Sequence, residues 1–193
     1  MNRLVLFDFD GTMTSEDSMI HFFKMMFGRF QVFWALFKIL PDIFFIKVLK
    51  KNSTQAKERF LRHFLLDISQ DVFAEKGRTY AEKYSDKILL KDALNALRTH
   101  QRNGDRVIIV SASIKEWLLP ISKRLNVELL CTEYDCNTGK IIGKNCIGPE
   151  KVRRVTNHLN IHDYEEIYVY GDSNGDKEML QLATHKFYRK FSK

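Results

Sequence analysis

The sequence predicts an α/β fold: a doubly wound, mainly parallel sheet of the Rossmann-like kind, interrupted by a helical insertion. Three observations carry this. Leu4, Val5, Leu6 and Phe7 form an unbroken apolar run, as in a strand covered by helices on both faces. From about Lys91 onward, amphipathic segments alternate with short buried runs, the pattern of β/α units. Between these parts lies a different stretch, Met19 to Leu49, which holds eight of the fifteen phenylalanines. The expected division is a core of residues 1–14 and 88–193, with residues 15–87 as a helical cap inserted after the first strand.

The elements follow in order. The first strand ends at Asp8-Phe9-Asp10-Gly11-Thr12. In the insertion, Pro41 is expected to end or kink a helix, and Ser53-Thr54-Gln55 to cap one running through Ala56–Leu66. A further helix is expected over Asp71–Asp86. Asp92–Gln101 reads as a helix with Ala93, Leu94 and Leu97 inward, stopped by Asn103-Gly104. Arg106–Val110 is a second strand, and Ser111-Ala112-Ser113 then leads into a helix over Ile114–Leu125 that contains Pro120. A third strand, Val127–Thr132, precedes Glu133–Cys136 and Lys140–Lys144, two extended pieces about a turn at Asn137-Thr138-Gly139. Pro149 opens a helix to about Leu159. Glu166–Tyr170 is a fourth strand, followed by Gly171-Asp172-Ser173-Asn174-Gly175-Asp176, a helix to about Ala183 and a last strand at Lys186–Arg189.

A chain of 193 residues can bury one substantial core plus an insertion. Its 45% hydrophobic and 28% charged residues exclude wholesale disorder. The net charge of +7 favours anionic partners: phosphorylated metabolites, anionic lipid surfaces or nucleic acid. No nucleic-acid-binding motif accompanies it, so nucleic acid is not expected as a partner. Cys131, Cys136 and Cys146 are odd in number and lack zinc spacing, which suggests reduced thiols. No export signal precedes the first strand, and the expected location is cytoplasmic. Within the insertion, the charges between Met19 and Leu49 are nearly all basic, with Lys24, Arg29, Lys38 and Lys47 against Asp42. Its apolar runs are too short to span a bilayer. Two readings suit it: a small bundle that packs its aromatic faces together, and a surface that makes peripheral contact with the inner face of the membrane.

The chemistry gathers at element ends. Asp8 and Asp10 are two residues apart, so extended backbone sets both carboxylates on one side. Such a pair repels unless a cation or a proton lies between. Gly11 permits a turn or a close approach to a ligand. Ser111 ends the second strand, Lys151 follows Gly148-Pro149 at a helix start, and Asp172 and Asp176 follow the fourth strand. Taken singly, these are a helix cap, a surface lysine and a turn or calcium loop. Together they fall at one edge of one sheet, where such folds bind ligands.

This ordered set resembles the haloacid dehalogenase-like (HAD) superfamily of phosphohydrolases, in the phosphoserine phosphatase-like subfamily IB, with the insertion where a type C1 cap occurs. The resemblance implies Asp8 as a nucleophile that becomes a phosphoaspartate. It implies Asp10 as the acid that protonates the leaving alkoxide and then the base that activates water. Mg²⁺ would be held by the Asp8 carboxylate, the Asp10 backbone carbonyl and Asp172, with Asp176 nearby. Ser111 and Lys151 would hold the phosphoryl oxygens, with backbone N–H groups around Gly11, Thr12 and Ala112. An acid at Asp10 speaks against dehalogenation, since a halide leaves without a proton. The phosphoserine phosphatase pattern has Gly-Gly where this chain has Ala112-Ser113. It also has Asn directly before the second Asp, where this chain has Gly175. Cys146-Ile147-Gly148-Pro149-Glu150-Lys151-Val152 and the basic, apolar insertion also resemble phosphatidylglycerophosphatase C and its relatives.

The expected activity is therefore a Mg²⁺-dependent phosphomonoesterase acting on a small phosphorylated metabolite, phosphoserine-like, or on a lipid phosphate. Glu16, Asp17, Arg59 and Arg62 are candidates for reading the leaving group, carboxylates for an amine and arginines for a second anion. Two other classes fit less well. A phosphoacceptor signalling domain places its acidic pair and accepting aspartate on different strands. A catalytically silent membrane-associated binding protein has no use for intact Asp8, Asp10, Ser111, Lys151 and Asp172.

Overall fold

The computed structural model describes residues 2–38 and 53–191. A six-stranded sheet has the order β4-β3-β2-β1-β5-β6. Its strands are β1 (Arg3–Phe7), β2 (Arg106–Ile114), β3 (Glu128–Asp135), β4 (Lys140–Ile142), β5 (Glu166–Gly171) and β6 (His185–Tyr188). All neighbours are parallel except β4, which returns antiparallel to β3 across the Asn137–Gly139 turn. Strand order reverses between β1 and β5, and a crevice opens at the carboxyl ends of strands at such a point.

The helices are α1 (Ser18–Phe27), a helical run over 29–38 (α2), α3 (Ser53–Leu65), α4 (Gln70–Lys83), α5 (Lys91–Arg102), α6 (Lys115–Leu125), α7 (Pro149–His158) and α8 (Lys177–Leu180). Strand period two sorts β1 between two cores. Val5 and Phe7 point into the cluster shared with α1, α3, α4, α5 and α6, whereas Leu4 and Leu6 point into the one beneath α7 and α8. All four are fully buried, and each such side chain contributes roughly 1.5–3 kcal/mol.

The aromatic residues of the first helices pack on one another and on the core. Phe22 stacks on Trp117 of α6 with centroids 5.0 Å apart, and its ring meets Tyr80 edge-on at 5.3 Å. Phe23 lies 5.1 Å from Phe60 of α3. Helix α4 lies backbone to backbone on α6. A Cβ at Gly77 would fall 1.9 Å from the carbonyl oxygen of Glu116, so no other residue fits there. Gln70 extends that seam: its amide donates to the Tyr134 carbonyl at 3.1 Å and accepts from the Cys136 N–H at 3.1 Å. Arg124 of α6 donates to the Ala81 carbonyl at 2.7 Å.

Several boundaries differ from expectation. The second strand runs through Ser111 to Ile114, because an irregularity between these residues lets pairing with β3 resume at Thr132. The N-cap of α6 is then Ile114, and Ser111 and Ser113 do not cap it. The third strand is continuous to Asp135. The helix after Asp176 stops at Leu180 rather than near Ala183. The helix break expected at Pro41 lies outside the described residues. All three cysteines are buried and free.

Candidate active site

The β1 register explains the meeting of the carboxylates. Phe7 pairs with Ile109 on one side and Tyr170 on the other, and the Asp8 N–H continues the ladder to the Tyr170 carbonyl at 2.9 Å. Asp8 therefore leaves the sheet beside Gly171-Asp172. The backbone turns at Gly11, where φ is +77°. A Cβ there would lie 2.4 Å from Asp172 Oδ2, so glycine alone lets the two loops close on each other.

Asp8, Asp172 and Asp176 can place one carboxylate oxygen each within 4.8 Å of one another. Lys151, buried at the first turn of α7, donates to Asp8 Oδ1 at 2.5 Å and Asp176 Oδ1 at 2.6 Å. The second oxygen of Asp176 accepts from the Ser173 N–H at 3.0 Å and its hydroxyl at 2.8 Å. Thr12 donates to Asp8 Oδ2 at 3.2 Å and reaches Asp172 Oδ1 at 3.4 Å.

The electrostatics follow from three carboxylates sharing one ammonium. Burial pushes the Asp8 carboxyl up to about 7; Lys151 pulls against this and Asp176 adds to it. Asp172 is raised as well, by burial and then by Asp176. Burial also opposes ionisation of Asp176, but Lys151 outweighs it and holds this carboxyl below its usual range. For Lys151, burial disfavours the charge, and Asp8 and Asp176 more than compensate. Ionised together, the four groups carry two uncompensated negative charges. Hard oxygen donors with that deficit fit a divalent cation such as Mg²⁺.

The Asp10 carboxylate is turned away from this cluster. Its Oδ1 accepts the Ser18 N–H at 2.6 Å, and its Oδ2 accepts the Ser113 hydroxyl at 2.5 Å. Behind Ser113 stands Ser18, with the hydroxyl oxygens 3.0 Å apart, and behind Ser18 the Trp117 indole N–H at 3.2 Å. Ser113 has one proton and gives it to Asp10, so Ser18 is the donor to Ser113, and the Trp117 indole N–H donates to Ser18. The chain of hydroxyls thus has a fixed direction and ends on Oδ2. Burial, then the charge of Asp17, still raises the Asp10 carboxyl, while these donors restrain the rise.

Among the other expected site residues, Ser111 is buried, and its hydroxyl accepts the Ser113 N–H at 3.0 Å, which shapes the bend at Ala112. Asp17 N-caps α1 through the Ile20 N–H at 2.9 Å and lies close enough to perturb Asp10. Glu16 is exposed, 4.0 Å from Lys24. Arg59 is exposed on α3. Arg62 packs over the β3–β4 turn, where a Cβ on Gly139 would touch its side chain at 2.8 Å.

Sequence reasoning missed Lys57. From α3, its ammonium donates to the Ala112 carbonyl and, at 3.2 Å, to Asn145 Oδ1. Burial lowers it to about 8, with Asp10 and Asp17 pulling it back up. No motif marks it, since nothing local in Gln55–Arg59 shows which way the helix faces. Ser113 had been only a departure from a pattern, and its contact with Asp10 gives it work.

The family model of haloacid dehalogenase-like hydrolases matches residues 5–181. The chain belongs to this family. Among curated relatives, Protein CicA of Caulobacter vibrioides is 32% identical over 194 residues, covering 97% of this chain and 86% of its own. A solved protein of unknown function from Bordetella pertussis Tohama I has 25% identity and a TM-score of 0.81, covering 95% of this chain and 88% of its own. A phospho-aspartyl intermediate analogue of phosphoserine phosphatase shares the HAD fold at 20% identity and a TM-score of 0.61, over 96% of this chain and 85% of its own.

Ser113→Ala is expected to raise the Asp10 carboxyl further by removing a donor to the ionised form. The limb of the pH–rate profile that reports Asp10 should move to higher pH, with turnover at neutral pH down about tenfold. A profile unchanged in position would separate Ser113 from the proton chemistry.

Proposed function

We propose that this HAD hydrolase is a Mg²⁺-dependent phosphomonoesterase working through a phosphoaspartate on Asp8. The carrying observation is the division between two neighbouring carboxylates. Asp8 faces the lysine and the acidic cluster, whereas Asp10 is held apart by Ser18 and Ser113. One is placed to attack, the other to hold and move a proton. The phospho-aspartyl analogue that shares the fold supports the same assignment.

In the first step an Asp8 oxygen bonds to phosphorus as the ester P–O bond breaks, and Asp10 gives its proton to the departing alkoxide. In the second, water attacks the phosphoaspartate while Asp10 takes the water's proton, and inorganic phosphate leaves with Asp8 restored. Lys151, Thr12 and the N–H groups about Gly11 and Ala112 hold the phosphoryl oxygens, with Ser111 fixing the second turn. Asp8 and Asp172, with Asp176 and the Asp10 carbonyl beside them, would hold Mg²⁺, whose charge would offset that of the phosphoryl group.

Residues 15–87 act in this reading as the cap that selects the alcohol. Lys57 carries the cation nearest the Ala112 turn and suits a leaving group with a second anionic or polar oxygen. Both substrate classes fit, a small phosphoserine-like metabolite and a lipid phosphate. A panel of soluble phosphate esters and lipid phosphates in micelles, assayed for Mg²⁺-dependent phosphate release, tests the proposal. Release should stop with EDTA and return with Mg²⁺. Lys57→Met should raise KM about tenfold for esters with an anionic leaving group and leave p-nitrophenyl phosphate within about twofold. No release from any ester would overturn the enzyme reading, and equal effects on both ester types would remove Lys57 from substrate recognition.

A further inference from the structure

We propose that the outer face of α2 is a docking surface for an anionic lipid bilayer. Helix α2 has two apolar faces, and the larger one is outside. Its small residues Val32 and Ala35 are buried against the core, while Phe30, Phe33, Trp34 and Phe37 are 84%, 62%, 58% and 56% exposed. Phe33 and Trp34 touch with centroids 6.0 Å apart, and Trp34 and Phe37 at 5.9 Å, so the outer aromatics form one patch. The spacing i, i+3, i+4, i+7 sets them in a single stripe. A soluble helix ordinarily turns its bulky side chains inward and its small or polar ones outward.

The charge distribution selects the occupant. No acidic residue occurs between Ser18 and Pro41, and from Ser18 to Lys57 seven Lys/Arg face the single Asp42. That segment carries +6 of the chain's +7, so the remaining residues are nearly neutral. Exposed Arg29 and Lys38 bracket the aromatic stripe. Aromatic side chains flanked by cations match the boundary of an anionic bilayer, where rings enter the headgroup layer and Lys/Arg meet phosphates. No helix among the described residues is long and apolar enough to cross a membrane, so the contact is interfacial. Helix α1 alone separates this patch from Ser18 at Asp10, about 15 Å at the helical rise. A docked molecule therefore holds its catalytic cleft near the headgroups. The surface stands apart from the phosphatase reading, because its test is binding and not turnover.

The full chain offers a built-in probe. It has two tryptophans, and Trp117 is fully buried, so a change in emission on adding vesicles reports Trp34. Vesicles of phosphatidylcholine with phosphatidylglycerol should shift the emission to the blue and carry the protein down on sedimentation. Pure phosphatidylcholine should bind at least tenfold more weakly. The variant F30S/F33S/F37S keeps Trp34 and should lose at least tenfold in affinity. R29Q/K38Q should lose affinity and show a shallower salt dependence. Circular dichroism and thermal unfolding of both variants should match the parent, since all five side chains are exposed. Absence of binding to anionic vesicles overturns the proposal, as does equal binding to both vesicle types or by either variant. Trp34 shielded from acrylamide in the vesicle-free protein also overturns it, by showing the face already covered. Self-association abolished by F30S/F33S/F37S assigns the patch to a second copy instead.

Discussion

Asp8→Asn is expected to lower phosphate release by at least about 10³-fold while leaving the fold intact. An amide is a poor nucleophile toward phosphorus, yet it keeps the shape of the carboxylate: its oxygen can still accept from Lys151, and its NH2 can donate to the Thr12 hydroxyl. The contrast with Asp10→Asn makes the test sharper. That variant has lost both the proton for the alkoxide and the base for water, so alkyl phosphates should be inert to it. p-Nitrophenolate leaves without help, so the first step should survive with p-nitrophenyl phosphate. The expected trace is a burst of one equivalent of p-nitrophenol, a slow steady state, and a phosphorylated protein by intact mass. Full activity in Asp8→Asn would remove the nucleophile assignment. A linear trace without a burst in Asp10→Asn would remove the two-step division.

The second large effect is a stabilisation by Mg²⁺ that depends on pH. Asp8, ordinarily near 3.8, is pushed up to about 7, so the native state holds this proton more tightly than the unfolded chain. Its contribution to stability is then fully present below about pH 4 and is lost as pH rises through about 7. The lowered Asp176 acts only under more acidic conditions, and the raised Lys151 only under strongly basic ones. His21, lowered by burial, adds an opposite slope near its own range, but it is no part of the acidic cluster. A divalent cation reverses the Asp8 penalty where the carboxylates are ionised. At pH 8 and about 100-fold above Kd, Mg²⁺ should raise Tm by about 5–10 °C, and at pH 5 by less than half of that. Asp172→Asn should raise the Tm of the metal-free protein at pH 8 and abolish most of the Mg²⁺ gain. Equal gains at both pH values, or an undiminished gain in Asp172→Asn, would dissociate the cluster from metal.

The framework was legible wherever a residue's role is set by its neighbours in the chain. The Leu4–Phe7 run, buried on both faces, placed Asp8 and Asp10 at a strand end. The Pro149 helix start placed Lys151, and the Asn137–Gly139 turn placed the hairpin. Legibility failed where the role is set by distant partners. Ser111-Ala112-Ser113 reads locally as a cap, because small polar residues do that at most helix starts. Its strand character comes from pairing with β3, which no local pattern encodes. Lys57 and Trp117 lie on helices far in sequence from the Ala112 carbonyl and the Ser18 hydroxyl that they respectively reach, and only tertiary packing turns them inward. Arg62 went the other way, drawn to the open space above Gly139.

The seam at Gly77 has a consequence for modularity. A helix seated by its own backbone on the Glu116 carbonyl, and laced on by Gln70 and Arg124, is not an interchangeable cassette. Grafting these helices onto another hydrolase core would require an unobstructed backbone carbonyl on the recipient's helix for Gly77 to sit against and a hairpin within reach of Gln70. Heat should find no separate part to melt: α4 and α6 share one buried surface, and losing either exposes the other.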